Sequence, residues 1–153
     1  MNLFPWKKQT EFFSEEEKAL LIEAIRRAEQ RTSGEVRLFV ESHCRYMDAS
    51  DRAQEIFLQL GMERTAERNA TLLYLALKDH QAAVYGDAGI HAKVGTAYWQ
   101  QVVARMLEEF RHDHLVSGIC GGIDALGEAL HQYFPYDHAS DKNELPDDIV
   151  FGS

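Results

Sequence analysis

The run Ala70-Thr71-Leu72-Leu73-Tyr74-Leu75-Ala76-Leu77 constrains this chain more than any other segment. It carries no charge and is bounded by Asn69 and Lys78. In an extended strand its apolar side chains fall on both faces, so neither face can meet water. A strand of this kind sits inside a sheet, with strands beside it and cover above and below. The rest of the chain has to supply that surround.

The flanking segments read accordingly. Glu35-Val36-Arg37-Leu38-Phe39-Val40-Glu41 alternates as a strand, with Val36, Leu38 and Val40 on one face and Arg37 and Phe39 on the other. Ala82-Ala83-Val84-Tyr85 follows a tight turn at Lys78-Asp79-His80-Gln81, pairs back as a hairpin and closes at Gly86-Asp87-Ala88-Gly89. Helical spacing marks four more segments. The first opens on a capping box, Ser14 with Glu17, and buries Leu21, Ala24, Ile25 and Ala28. It ends near Thr32-Ser33-Gly34, where Gly34 is expected to reverse the chain. The second carries Ala53, Ile56, Phe57 and Leu60 and ends at Gly61. The third is defined by Trp99, Val103, Met106 and Phe110, and the fourth by Ile119, Ile123, Leu126, Leu130 and Phe134, ending at Pro135.

The order is therefore α-β-α-β-β-α-α. A β-α-β unit demands a right-handed crossover, which makes the first two strands parallel, and the hairpin makes the third antiparallel. The expected fold class is α/β: a three-layer α/β/α sandwich around a small mixed sheet. At 153 residues the chain suits one domain with a single core. Residues 1–11 read as an N-terminal segment, 12–135 as the domain and 136–153 as an acidic, mobile tail. Two apolar patches at the termini, Phe4-Pro5-Trp6 and Ile149-Val150-Phe151, either fold back on the domain or dock to a partner.

Charge excludes some functions. The net charge is −9, from 25 acidic and 16 basic residues. Phosphate-backbone binding rests on a surplus of Lys and Arg, so nucleic acid is not an expected partner, nor is an anionic membrane surface. Cys44 and Cys120 cannot form a disulfide framework or a four-cysteine zinc site. No stretch reaches the roughly 18 apolar residues of a membrane span, and Met1 to Lys8 lacks the apolar core of an export signal. The expected location is cytoplasmic.

Three motifs in order resemble the TPM-domain family. They are Thr32-Ser33-Gly34-Glu35-Val36-Arg37-Leu38; Leu60-Gly61-Met62 with Thr65 and Arg68-Asn69-Ala70-Thr71-Leu72-Leu73-Tyr74; and Gly86-Asp87-Ala88-Gly89-Ile90 with Val94-Gly95 and Trp99. Gly118, Gly121, Ile123 and Gly127 fit the family's C-terminal helix, and the likeness runs from Phe12 to Pro135. It is greatest to the short bacterial branch without signal or membrane segments. Two positions depart from the pattern: Ala70 stands where glycine is common, and Asp79-His80 where many members have Asp-Arg. The resemblance implies a Rossmann-like sandwich, divalent-cation binding by calcium or magnesium, a weak acid phosphatase activity in the plant branch, and a LemA-type membrane protein as partner.

Two groups of residues carry candidate chemistry. Glu35, Asn69 and Asp87 come to one sheet end, where two carboxylates and an amide oxygen are the hard donors that calcium and magnesium prefer. The same residues allow a plainer reading, in which Glu35 pairs with Arg68 and Asp87 caps a turn. Glu41, Ser42, His43, Asp48, Asp51 and Asp79 lie at the other end, beyond the carboxyl ends of the parallel strands, where open α/β sheets hold ligands. That group is the second choice for a hard metal, through Glu41, Asp48 and Asp79, or for phosphate. Asp48-Ala49-Ser50-Asp51 reads equally as helix capping. His112-Asp113-His114 has a zinc-like spacing but no third ligand, and reads as a solvated loop. No Walker loop, G-x-G-x-x-G or G-x-S-x-G is present. Phosphatase chemistry would have to be metal-assisted. The leading expectation is a cation-binding accessory module that works with a protein partner; the alternative is a low-turnover metal-dependent phosphatase.

Overall fold

The computed structural model describes residues 12–136 and 149–152. Helix α1 (Glu15–Glu29) opens on the capping box read from the sequence: Ser14 Oγ accepts from the Glu17 amide and the Glu17 carboxylate accepts from the Ser14 amide. Such a box satisfies two orphan donors, and an N-cap of this type is worth about 1 kcal/mol. Strand β1 (Glu35–Glu41) follows, then helix α2 (Ala49–Gln59), a single 3₁₀ turn (Met62–Arg64), and strand β2 (Ala70–Ala76). All seven residues of β2 are buried, as its two-faced apolar character requires. Strand β3 (Gln81–Gly86), helix α3 (Ala88–Arg111), helix α4 (Leu115–Tyr133) and strand β4 (Ile149–Phe151) complete the chain.

The sheet has the order β3-β2-β1-β4. β1 and β2 are parallel, Glu35 facing Ala70 and Glu41 facing Ala76. β3 runs antiparallel to β2, and β4 is parallel to β1 on its other side. Strand parity divides the core as the sequence indicated. Val36, Leu38 and Val40 join Leu21, Ile25, Ile123 and Leu126 on the α1/α4/α3 face, while Phe39 joins Ile56, Phe57 and Tyr74 on the α2 face. The result is a three-layer α/β/α sandwich. No helix among the described residues is long and apolar enough to cross a membrane.

Three sequence expectations change. Gly34 lies outside the positive-φ region and does not reverse the chain; a Cβ there would stand 2.7 Å from Leu130 and 2.9 Å from the Asn69 carbonyl, so close approach is what demands glycine. The third helix begins at Ala88, well before Trp99, because Asp87 caps it. Its apolar period is masked by Gly95, whose φ of 79° and ψ of 168° break the helix into two arms. Of the stretch read as a mobile tail, residues 137–148 lie outside the described residues, but Ile149–Phe151 is a sheet strand. Phe151 stacks on Phe12, with centroids 5.9 Å apart, so this apolar patch folds back on the domain. Phe4-Pro5-Trp6 and the rest of residues 1–11 lie outside the described residues.

Candidate functional site

The amino end of the parallel strands holds the first candidate group. The register of β1 with β2, and of β2 with β3, places Glu35, Asn69 and Asp87 at this end. All three are buried, at 4%, 1% and 1% exposure. Their local geometry keeps them apart in role. Asp87 receives the Arg68 guanidinium on both oxygens, Nε to Oδ2 at 2.6 Å and Nη2 to Oδ1 at 2.8 Å, and Oδ1 also caps the Ala88 amide at 2.7 Å. The carboxylate beside Arg68 raises the guanidinium's pKa further above its ordinary value. Arg68 adopts φ 52°, and its carbonyl accepts from the Gly89 and Ile90 amides, so the 67–69 turn is clamped to the start of α3 by both backbone and side chain.

Asn69 turns elsewhere. Its Nδ2 donates to Ser33 Oγ at 3.2 Å, its amide donates to Thr65 Oγ1, and its Oδ1 is buried with no hydrogen-bond partner. Glu35 shares its strand face with Arg37 and Phe39, by parity. The plainer sequence reading is therefore amended: Arg68 pairs with Asp87, and Asp87 also caps a helix. Among the described residues no three His, Cys, Asp or Glu side chains gather to hold a metal ion.

The carboxyl end presents a cavity of about 580 Å³ lined by Glu41, His43, Arg45, Arg52, Glu55 and Lys78, among others. Glu41 closes β1 and is 4% exposed. Arg52, one turn into α2, grips it with Nε at 2.9 Å and Nη2 at 3.0 Å, and the Tyr74 hydroxyl donates to it at 2.5 Å. A buried carboxylate is tolerable with three such donors. The bond to Glu41 raises the Arg52 pKa, and burial, reinforced by Glu41, pushes the Tyr74 phenol well above its ordinary range. Asp79 takes His43 Nδ1 at 2.9 Å and the Cys44 amide at 2.6 Å, which hold its carboxyl below the ordinary range. Asp48 caps α2 through the Asp51 amide, as capping predicted.

Each carboxylate of the second-choice set thus already has donors of its own. Among the described residues, two charged side chains lining this cavity form no ion pair, and both are cations: Arg45 and Lys78. Above them Tyr46 holds φ 75° and stands 98% exposed. The sequence reading had not assigned Arg45, Arg52, Tyr74 or Lys78. The signal for Tyr74 was available, because a hydroxyl inside an apolar run needs a buried acceptor. His112 and His114 bind Glu108 and Glu109 singly on the surface, as a solvated loop should.

The comparisons with known proteins agree with this architecture. The BA42 protein of the psychrophilic bacterium Bizionia argentinensis is 36% identical, with a TM-score of 0.84 over 94% of this chain and 97% of its own. The N-terminal domain of a protein from P. gingivalis shares the fold at 15% identity and a TM-score of 0.66, covering 84% of each chain. The N-terminal domain of the cg2496 protein of Corynebacterium glutamicum does so at 12% and 0.58, covering 88% and 86%. No curated protein matches. The TPM domain matches residues 7–129, most of the sequence, and the chain belongs to the TPM domain family.

Proposed function

We propose that the protein is a binding module whose ligand is a small anion, held at the carboxyl ends of β1 and β2. One observation carries this: of the charged groups around the 580 Å³ cavity, the two without an ion-pair partner among the described residues are Arg45 and Lys78. In a chain of net charge −9 their convergence is the reverse of the average surface. Glu41 and Arg52 form the floor, with Glu41 held from beneath by the Tyr74 hydroxyl, and the His43–Asp79 pair fixes the rim. The test is a titration with inorganic phosphate, followed by amide chemical shifts. Saturable shifts are expected at residues 43–47 and Lys78, with affinity about tenfold weaker in Lys78→Ala or Arg45→Ala, or about 1.4 kcal/mol. Shifts that do not saturate, or that ignore both substitutions, overturn the reading.

A second reading is favoured by the buried, partnerless Asn69 Oδ1. Here Glu35, Asn69 and Asp87 would hold calcium or magnesium, the hard cations suited to oxygen donors. The fit is partial, because Arg68 already occupies both Asp87 oxygens and a divalent ion would compete with it. Titrating metal-stripped protein with calcium separates the two: saturable shifts near Asn69, lost in Glu35→Ala, would favour the cation. Cation-dependent cleavage of an aryl phosphate, lost in Glu35→Ala and Asp87→Ala, would establish the metal-dependent phosphatase instead.

A further inference from the structure

We propose that the outer edge of β3 accepts an extended segment of another protein as an added strand, uncharged along its middle and acidic at the end that meets Arg68. Among the described residues β3 pairs only with β2, so one row of its backbone donors and acceptors faces away from the sheet. Edge strands are ordinarily defended by charges, proline or bulges. Gln81–Gly86 has no charged residue and no proline, and its register with Thr71–Ala76 runs unbroken.

The ground beside this edge is shaped for a strand. A cavity of about 710 Å³ is lined by Ala82 through Gly86 in succession, by Gln54 of α2, and by Thr96, Trp99, Val103 and Leu107 of α3. α2 and α3 lie on opposite faces of the sheet, so a cavity touching both must run along the edge itself. Backbone hydrogen bonds along the edge would supply affinity, and the half-buried Val103 and Leu107 would supply an apolar wall for alternate side chains.

Charge selects the occupant. The cavity walls along the strand are uncharged, and its charged end is the Arg68–Asp87 pair. Asp87 is 2% exposed there and the Arg68 side chain 51%, so solvent meets the guanidinium. An acidic residue complements it. A second copy of this chain does not, because its β3 carries no acid and two molecules of charge −9 repel. A single arginine is too little for nucleic acid.

The probe is a blocked hexapeptide, Asp-Val-Thr-Val-Thr-Val, with its mirror order and the versions carrying Lys for Asp. Binding to the full chain is followed by amide shifts. Expected are saturable shifts confined to β3, Arg68 and the facing side of α3, with one Asp peptide about threefold to tenfold tighter than its Lys version. Backbone N-methylation of alternate residues gives two further peptides. An added strand uses one alternate set of amides, so one methylated peptide keeps binding and the other loses it. Ala104→Arg, an exposed substitution on the wall, should weaken binding at least fivefold. The proposal is overturned by the absence of shifts at β3, by equal binding of Asp and Lys peptides, or by retention of binding in both methylated forms. It is independent of the anion pocket, whose expected shifts fall at residues 43–47 and Lys78 and not along β3.

Discussion

Replacing Gly89 with alanine sets two effects against each other. Helix propensity alone favours alanine by at most about 1 kcal/mol. Contact opposes it. A Cβ at Gly89 would lie 2.2 Å from the Glu67 carbonyl oxygen and 2.7 Å from that of Arg68, and both are backbone atoms that cannot swing aside. The 67–69 turn would have to retreat from α3, and the two bonds that join them, Gly89 and Ile90 amides to the Arg68 carbonyl at 2.8 and 3.3 Å, would stretch. Two such bonds contribute about 2 kcal/mol together, and the same retreat loosens the Arg68–Asp87 pair. The net expectation is a loss of about 1 kcal/mol, or a fall in Tm of about 2–4 °C for a domain of this size. Gly121 provides the control: it is exposed, with nothing within 4 Å of a Cβ, and alanine there should stabilise by about 0.5–1 kcal/mol. Urea unfolding of both variants, followed by circular dichroism, decides the matter. If Gly89→Ala gains stability as Gly121→Ala does, the close-approach argument is refuted.

Gly127→Ala should cost about 1–2 kcal/mol after its propensity gain, because its Cβ would meet Ala28 at 2.7 Å across the α1–α4 contact; Gly122→Ala should be milder, since the flexible end of Met106 can move, and thermal melts compare the two. Tyr74→Phe removes the donor to Glu41 and should cost about 1–2 kcal/mol at neutral pH. Above about pH 10 the unfolded chain ionises this phenol while the fold keeps it protonated, so wild-type stability falls as pH rises and the variant's falls less, as urea midpoints against pH would show. Asp79 titrates below its ordinary range in the fold, so its contribution is present above about pH 4 and is lost on acidification. Asp79→Asn should therefore lower stability at pH 7 and flatten the acid limb of the same plot.

What the sequence revealed depended on how locally each feature is determined. The Ser14–Glu17 box, the parity of β1 and the burial of β2 follow from neighbours within a turn or a strand, and all three are found in the structure. The strand at Ile149–Phe151 was not legible as such, because its partner, Leu38–Val40, lies more than a hundred residues away. The start of α3 was hidden by Gly95, which interrupts the apolar period between Ile90 and Trp99. At the candidate sites, residue types were readable and partnerships were not. Glu35, Asn69 and Asp87 do share a sheet end, but sequence spacing could not show that Arg68 is held by Asp87, or that Arg52 and Tyr74 converge on Glu41. Such pairings are set by side-chain direction across strands and helices, which the linear order leaves open.

The break at Gly95 gives α3 two arms with separate lifetimes. Residues 88–94 are held by Asp87, Arg68, the single buried side chain of Ile90 and the Trp99 indole, which donates to His91 Nδ1 at 3.0 Å; the longer arm is held by its more extensive burial against α4. No continuous ladder of backbone bonds links the arms through Gly95, so the short arm can open without unwinding the long one. Under native conditions its amides should exchange with deuterium by a local opening, while those around Val102 and Met106 wait for a larger one. The molecule then carries a fast clock and a slow clock on what would otherwise be a single rod.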